Sequence, residues 1–262
     1  VSQYGSQTQS FVDPGKYPEA LYPVLIKDKL VCVGFYADRK DNRYNGIAYF
    51  DVNPNTLNIK SQKYNLFSQQ FMDDKFGREE DKDIKNLVFK GVEVTDKGEI
   101  FFNAEEYFVT TGLETTGAGQ RVRIERYHHN DIVSVKLGRN GNMEWARNIN
   151  KTEVTQGDGA YASYSSYCKD GNTYFFICTA AENPQLINNE RLIFKQGFSR
   201  NRNVFMISLD KNGVMDYEKI IDQQEARLPL MVSKPLKDEM EDKMLFYAKR
   251  GGRKQLVKVD FK

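Results

Sequence analysis

The chain has 262 residues, enough for one large domain or two small ones with a core that needs neither disulfide nor metal. Its 38 Lys and Arg against 36 Asp and Glu leave a formal charge of +2, which excludes the clustered basic excess of a dedicated nucleic-acid binder. With 40% hydrophobic and 28% charged residues it is not a disordered chain, and 15 Tyr and 17 Phe against one Trp favour strands over helices. No apolar run approaches the ~18–20 residues of a membrane helix. The polar opening Val1–Ser10 carries no leader pattern, so a processed piece of a longer precursor is expected. Three Cys are too few for a disulfide framework. Cys32 and Cys178 lie in apolar runs, where a free thiol behaves as a small hydrophobe.

In chain order, the first unit spans about 22–66. Leu25–Gly34 reads as a hairpin turning at Asp28-Lys29, and Gly46–Leu57 as an alternating strand with its turn. Phe67–Phe76 has the spacing of one short helix, and the mixed charges of Arg78–Lys85 read as a solvated loop. The second unit, about 87–149, repeats the plan. Val92–Ala104 turns at Lys97-Gly98, Asp131–Asn142 follows, and Asn140-Gly141 leads to Met143–Arg147 with Trp145. The third, about 164–221, turns at Asp170-Gly171, runs through Asn203–Val214 and Asn212-Gly213, and reaches Tyr217. The two Asn-Gly pairs predict type I′ hairpins. The fourth, about 228–261, holds Pro235–Asp238, Lys243–Ala248 and Gln255–Phe261, without an outer fourth strand.

Each unit thus reads as four antiparallel strands, a to d, in meander order. The c strands begin near residues 47, 132, 204 and 256. The expected fold is all-β, β-propeller-like, with four visible four-stranded blades over 22–262 and an N-terminal extension over 1–21. Gly34, Ala104, Cys178 and Ala248 recur at one place in the b strands and predict close packing of adjacent sheets. Two readings of closure stay open: Ser6–Val12 supplies the missing strand, or the units belong to a larger ring.

The a–b and c–d turns are short, whereas the b–c and d–a connections (37–45, 67–86, 104–130, 150–163, 179–202 and 222–229) are long. All of the insertions therefore fall on one face of a propeller, and long loops in a compact domain are usually functional. Glu105–Gly112 and Gln120–His128 read as an extended hairpin with Gly112, Gly117 and Gly119 near its tip. Arg121, Arg123 and Glu125 share one side, and Val122, Ile124 and Arg126 the other. Leu192–Arg202 repeats the idea less regularly. Arg and Tyr are enriched at interfaces, so Arg121, Arg123, Arg126, Tyr127, His128, Phe198, Arg200 and Arg202 are the candidate partner-binding residues.

Signals for chemistry are weak. His128 and His129 are adjacent and point to opposite faces of a strand, so no metal site is expected. Asp210–Gly213 lacks the later ligands of a calcium loop and reads as a turn. No phosphate-binding, nucleophile-elbow or dinucleotide motif occurs. No catalytic residue and no cofactor are expected.

The run Asp131–Arg147, followed by Tyr161–Tyr167, resembles propeller-repeat proteins of the Bacteroidetes cell envelope, with their strand, Asp/Asn-Gly and Trp pattern. Gly141 and Trp145 also resemble the Gly-x-x-x-Trp blade motif of quinoprotein propellers. Leu137 stands in place of that motif's acidic residue, so no quinone is expected. The resemblance implies an extracytoplasmic setting (periplasm, outer membrane or cell surface) after removal of a signal not present in this chain. It carries over no catalytic residue. The expected function is a non-catalytic binding or scaffold propeller that engages an envelope protein or a glycan through its long-loop face, with no nucleic acid, no membrane span and an open blade edge for association. The alternative is a propeller hydrolase or lyase on polysaccharide, using Glu105, Glu106 or Glu182.

Overall fold

A computed structural model describes residues 5–41, 43–78, 83–157, 159–180, 182–188, 190–196, 203–226, 228–238 and 240–261. The chain is all-β and forms two compact units, Val1–Ala104 with Val133–Asn148, and Glu105–Ile132 with Ile149–Lys262.

In the first unit, β1 (Tyr17–Ile26), β2 (Lys29–Ala37), β3 (Gly46–Val52) and β4 (Ile59–Leu66) form an antiparallel meander in sequence order. Its first strand begins at Tyr17, ahead of the expected residue 22. Helix α1 (Gln69–Phe76) follows, and the Phe71 N–H donates to the Ser68 hydroxyl that caps it. It buries Phe71 against Phe67 at 4.2 Å. Next come β5 (Leu87–Val94), β6 (Ile100–Thr115), β7 (Arg121–Leu137) and β8 (Met143–Thr152), again neighbours in sequence order. Their portions up to Ala104 and from Val133 to Asn148 belong to the first unit. The two sheets of this unit share a core that includes Val31, Val33, Phe35, Ile47, Phe102, Val133, Val135 and Ala146. Alternate positions of the strands supply it, as period-two burial requires. Asn65 joins the sheets, donating to Gly141 O at 3.0 Å and accepting from Met143 N at 2.9 Å.

The second unit adds β9 (Val154–Thr155), β10 (Ser165–Lys169), β11 (Asn172–Thr179), β12 (Gln185–Ile187), β13 (Arg191–Lys195), β14 (Asn203–Leu209) and β15 (Met215–Ile221). A short helix α2 (Gln223–Ala226) leads to β16 (Leu236–Asp238), β17 (Lys243–Arg250) and β18 (Arg253–Asp260). Strands β10, β11, β14 and β15 form the third meander, and β16, β17 and β18 a three-stranded sheet. Tyr167, Phe176, Cys178, Val204, Met244, Phe246 and Ala248 fill the core they share. Residues 5–12 form no strand, contrary to the closing-strand reading. Phe11 instead packs edge-on against Phe50 at 4.9 Å. Among the described residues β18 has one strand neighbour, β17.

The turns correct a second expectation. At both Asn-Gly pairs only the Gly has positive φ, 80° at Gly141 and 79° at Gly213, whereas a type I′ turn needs it at both central residues. In each, the Gly N–H donates to the carbonyl three residues back at 2.8 Å, Gly138 and Asp210. These are three-residue loops, a tight turn followed by one left-handed Gly. Gly98 and Gly119 close β5–β6 and β6–β7 in the same way. The two-residue turn with both φ values positive falls at Asp170-Gly171, between paired Lys169 and Asn172.

The recurrent small residues divide. Ala104 belongs to the first unit's core, and Cys178 and Ala248 to the second's, as expected for sheets packed closely. Gly34 has another cause: a Cβ there would collide with the carbonyls of Glu19 and Ala20, where β1 bulges.

Gly98 and Gly141 share the same backbone conformation, but only at Gly141 would a Cβ run into the Tyr49 ring. Gly98→Ala should destabilise by about 1–2 kcal/mol, the left-handed penalty alone. Gly141→Ala should lose a further ~1–3 kcal/mol from overpacking. Urea denaturation of both variants checks this; equal losses would contradict it.

Candidate functional site

Strands β6 and β7, of 16 and 17 residues, are the longest among the described residues. Their outer portions, 105–115 and 121–132, form a hairpin in the second unit, closed by the Thr116–Gln120 turn. Alternation sorts its side chains onto two faces. On one, Phe108 stacks on His128 at 4.3 Å, Thr110 Oγ1 lies 2.8 Å from His128 Nε2, and Arg126 pairs with Glu114. The other holds Tyr107, Val109, Leu113, Arg121, Arg123, Glu125 and Tyr127, with Val109 44% and Leu113 69% exposed. Arg123, Ile124, Glu125, Tyr127 and Gln156 line an open depression at the hairpin's flank. There the Tyr127 hydroxyl donates to Glu125 Oε2 at 2.8 Å, and that hydrogen bond to a carboxylate raises the phenol pKa above its ordinary value.

The structure therefore brings Arg123 and Tyr127 together and puts Arg121 nearer the tip on their face. Arg126 and His128 occupy the opposite face, each already engaged by a β6 neighbour. Phe198, Arg200 and Arg202 lie outside the described residues. The 192–202 segment does not project as a second hairpin over its described part. Instead β13 pairs in parallel with the outer end of β8, Ile193 opposite Asn150 and Lys195 opposite Thr152. The outer end of β8 would otherwise be a bare edge, and β13 satisfies its backbone groups. The Gln196 side-chain amide similarly donates to Val154 O at 3.0 Å and accepts from Val154 N at 2.9 Å, acting as one more strand residue beside β9.

At the hairpin's base lies a buried polar cluster of five residues from four separate stretches of chain: Glu105, His129, Lys151 with Glu153, and Ser163. The Lys151 ammonium donates to His129 O at 2.7 Å, Glu153 Oε2 at 2.9 Å and Glu105 Oε1 at 3.4 Å, which uses all three of its N–H groups. Glu105 Oε2 accepts the Ser163 hydroxyl at 2.8 Å and lies 3.3 Å from His129 Nδ1. The Ser163 N–H donates to Glu153 Oε2 at 2.8 Å. That bond helps hold Ser163 at φ 67°, a left-handed conformation costly for a non-glycine residue. His129 and Glu153 also exchange backbone hydrogen bonds, at 2.9 and 3.2 Å.

Glu105, one of the carboxylates singled out in the sequence, is fully enclosed here. Its partners hold the hairpin's base in place, an anchoring role. Glu106 is half-buried and Glu182 exposed, each in a different setting. Lys151, Glu153 and Ser163 were missed. The available signal was the charged pair at i and i+2 following Ile149, on the same side of a strand as that buried residue.

Comparison with protein-family models, with curated proteins and with solved structures yields no match.

Removing one partner of a buried charge network is far more harmful than replacing all of it with apolar groups. Lys151→Met should destabilise by about 3–5 kcal/mol, because it leaves Glu105 and Glu153 buried without their cation. Adding Glu105→Gln and Glu153→Gln should return a substantial part of that loss. Chemical denaturation of the single and triple variants measures it, and a Lys151→Met protein as stable as the wild type would refute the anchoring role.

Proposed function

We propose that the protein is a non-catalytic binding module of β-propeller type, working in the bacterial cell envelope. The hairpin at 105–132 is its contact surface. The propeller reading draws support from the successive antiparallel meanders, two of whose sheets share a core in each unit. The envelope setting rests on the resemblance of residues 131–147 to envelope repeat proteins.

One observation carries the binding role. The face of the hairpin that bears Arg121, Arg123 and Tyr127 also exposes Val109 and Leu113. Arginine, tyrosine and exposed aliphatic groups together form the composition of a protein interface, while a ribbon that merely needed solvation would be polar on this face. Of the two ligand classes, protein or glycan, this composition favours a protein. The buried cluster at the base contributes stiffness, so less conformational freedom is lost on binding. The polysaccharide-hydrolase reading draws little support, because Glu105 has no route to a substrate from its enclosed position.

The immobilised chain should retain specific proteins from a solubilised bacterial envelope extract. Deleting 112–119, or combining Arg123→Ala with Tyr127→Ala, should abolish that retention without lowering the melting temperature by more than a few degrees. Equal retention by all three forms would sink the reading.

A further inference from the structure

The β16–β18 sheet turns Met244, Phe246 and Ala248 into the second unit's core, and on its other face Leu245 and Tyr247 are half-buried. On that outer face, cross-strand rows can be read from the register. Lys249 stands opposite Lys254, Tyr247 opposite Leu256, and Leu245 opposite Lys258 and Leu236. Leu256 is 70% and Leu236 66% exposed. On the other face, at the tip of the hairpin, Arg250 stands opposite Arg253.

Two like-charged pairs thus face each other directly at one tip, across the Gly251-Gly252 turn. Such pairs oppose folding, since the side chains of directly opposed residues start only ~4.5–5.5 Å apart at Cβ. Nearby cations are compensated: Lys258 by Asp260 at 3.0 Å, Lys169 by Asp242 at 3.0 Å, and Lys243 by Glu241. The four at the tip make no ion pair or side-chain hydrogen bond among the described residues. In a chain whose total charge is only +2, this is a concentrated positive site with no counter-charge among the described residues.

We propose that the outer face of β17 and β18 binds an acidic polysaccharide. The pattern along the strands matches that chemistry. Sugar rings offer C–H faces that lie against an aromatic ring and an aliphatic side chain, here Tyr247 and Leu256. Carboxylate or sulfate groups meet the Lys249–Lys254 row and, further along the strand, Lys258, whose half-exposed ammonium they would share with Asp260. From Lys254 to Lys258 the strand advances about 13 Å, so the cations suit an extended polyanion better than a single small anion. Charge-assisted contacts of this kind weaken as salt screens them. This surface is separate from the 105–132 hairpin, and the proposal does not depend on that hairpin's role.

The test uses the full chain with four probes: heparin, polygalacturonate, neutral dextran and single-stranded polyuridylate, titrated across a range of salt concentrations. Heparin and polygalacturonate should bind and weaken steeply with salt, and dextran should not bind. Lys249→Gln, Arg250→Gln, Arg253→Gln and Lys254→Gln combined should reduce affinity for both acidic glycans about tenfold or more. The same variant should melt no lower than the wild type, because it removes two repulsive pairs; this separates lost binding from lost fold. Tyr247→Ala and Leu256→Ser should each weaken glycan binding while leaving its salt dependence nearly intact. Absence of glycan binding at low salt, undiminished binding by the fourfold variant, or polyuridylate bound as tightly as the glycans and indifferent to Tyr247 and Leu256 would each overturn the proposal.

Discussion

The ammonium group of Lys151 is buried where the outer hairpin leaves the rest of its sheet, and the placement of that hairpin depends on it. Strands β6 and β7 outrun the meander pattern of the chain. A two-stranded ribbon by itself is marginal in water. Its outer half must be held at its root by something stronger than ladder hydrogen bonds. Lys151 provides this by bonding β6 through Glu105, β7 through the His129 carbonyl, and the segment after β8 through Glu153. A buried charge of this kind adds little net stability compared with an apolar core. Its contribution is geometric, because the three acceptors must converge on one nitrogen and only one arrangement of the strands allows that.

The same reasoning explains how the second unit treats its strand edges. An exposed edge offers unpaired N–H and C=O groups to any passing chain. Beyond residue 149 the edge of β8 is covered by β13, and Val154 by the Gln196 amide. These covers come from an insertion in the third meander, between β11 and β14, so the long b–c connection there has a structural task. A long connection is therefore not by its length alone a contact surface. In the second unit, the 105–132 hairpin projects and the 185–195 insertion braces.

The strands were legible in the sequence because burial on one face imposes an alternation that survives every change of residue. Met244, Phe246 and Ala248 on β17 keep that period, whereas β2 keeps it only as far as Val33 and is buried on both faces beyond, with Tyr36 as enclosed as Phe35. Turn positions were legible to within a residue, the first falling at Lys27-Asp28 rather than Asp28-Lys29, but turn geometry was not. Asn-Gly is compatible with both a two-residue turn and a longer loop, and only the strand register decides between them, as the Gly138–Asn142 bond shows. The small residues marked packing without saying against what: Gly34 makes room for a bulge in its own sheet. The base cluster was least legible. Ser163 and Glu105 lie 58 residues apart and meet only through the fold, and a Lys in a strand reads first as a solvated residue.

Charge is distributed in this molecule according to whether a partner is built in. Lys136 lies between Glu99 and Glu144 at 2.9 Å each, and the Glu99 carboxyl is held below its usual range by that lysine. Arg147 clasps Asp74 on α1, with Nε to Oδ2 at 2.6 Å. Lys151 has its own acceptors. Each of these cations sits where two or more elements must be fixed against one another, and each has a carboxylate in reach. The β17–β18 tip does the opposite: its backbone accepts a hydrogen bond from Tyr161 at the Lys249 carbonyl, but its charged side chains lie beyond the last core row at Ala248 and pair cation with cation. A fold that compensates its charges wherever they brace structure has no structural reason to oppose two like pairs on one small turn. An anionic ligand would supply from outside the counter-charge that is lacking here among the described residues.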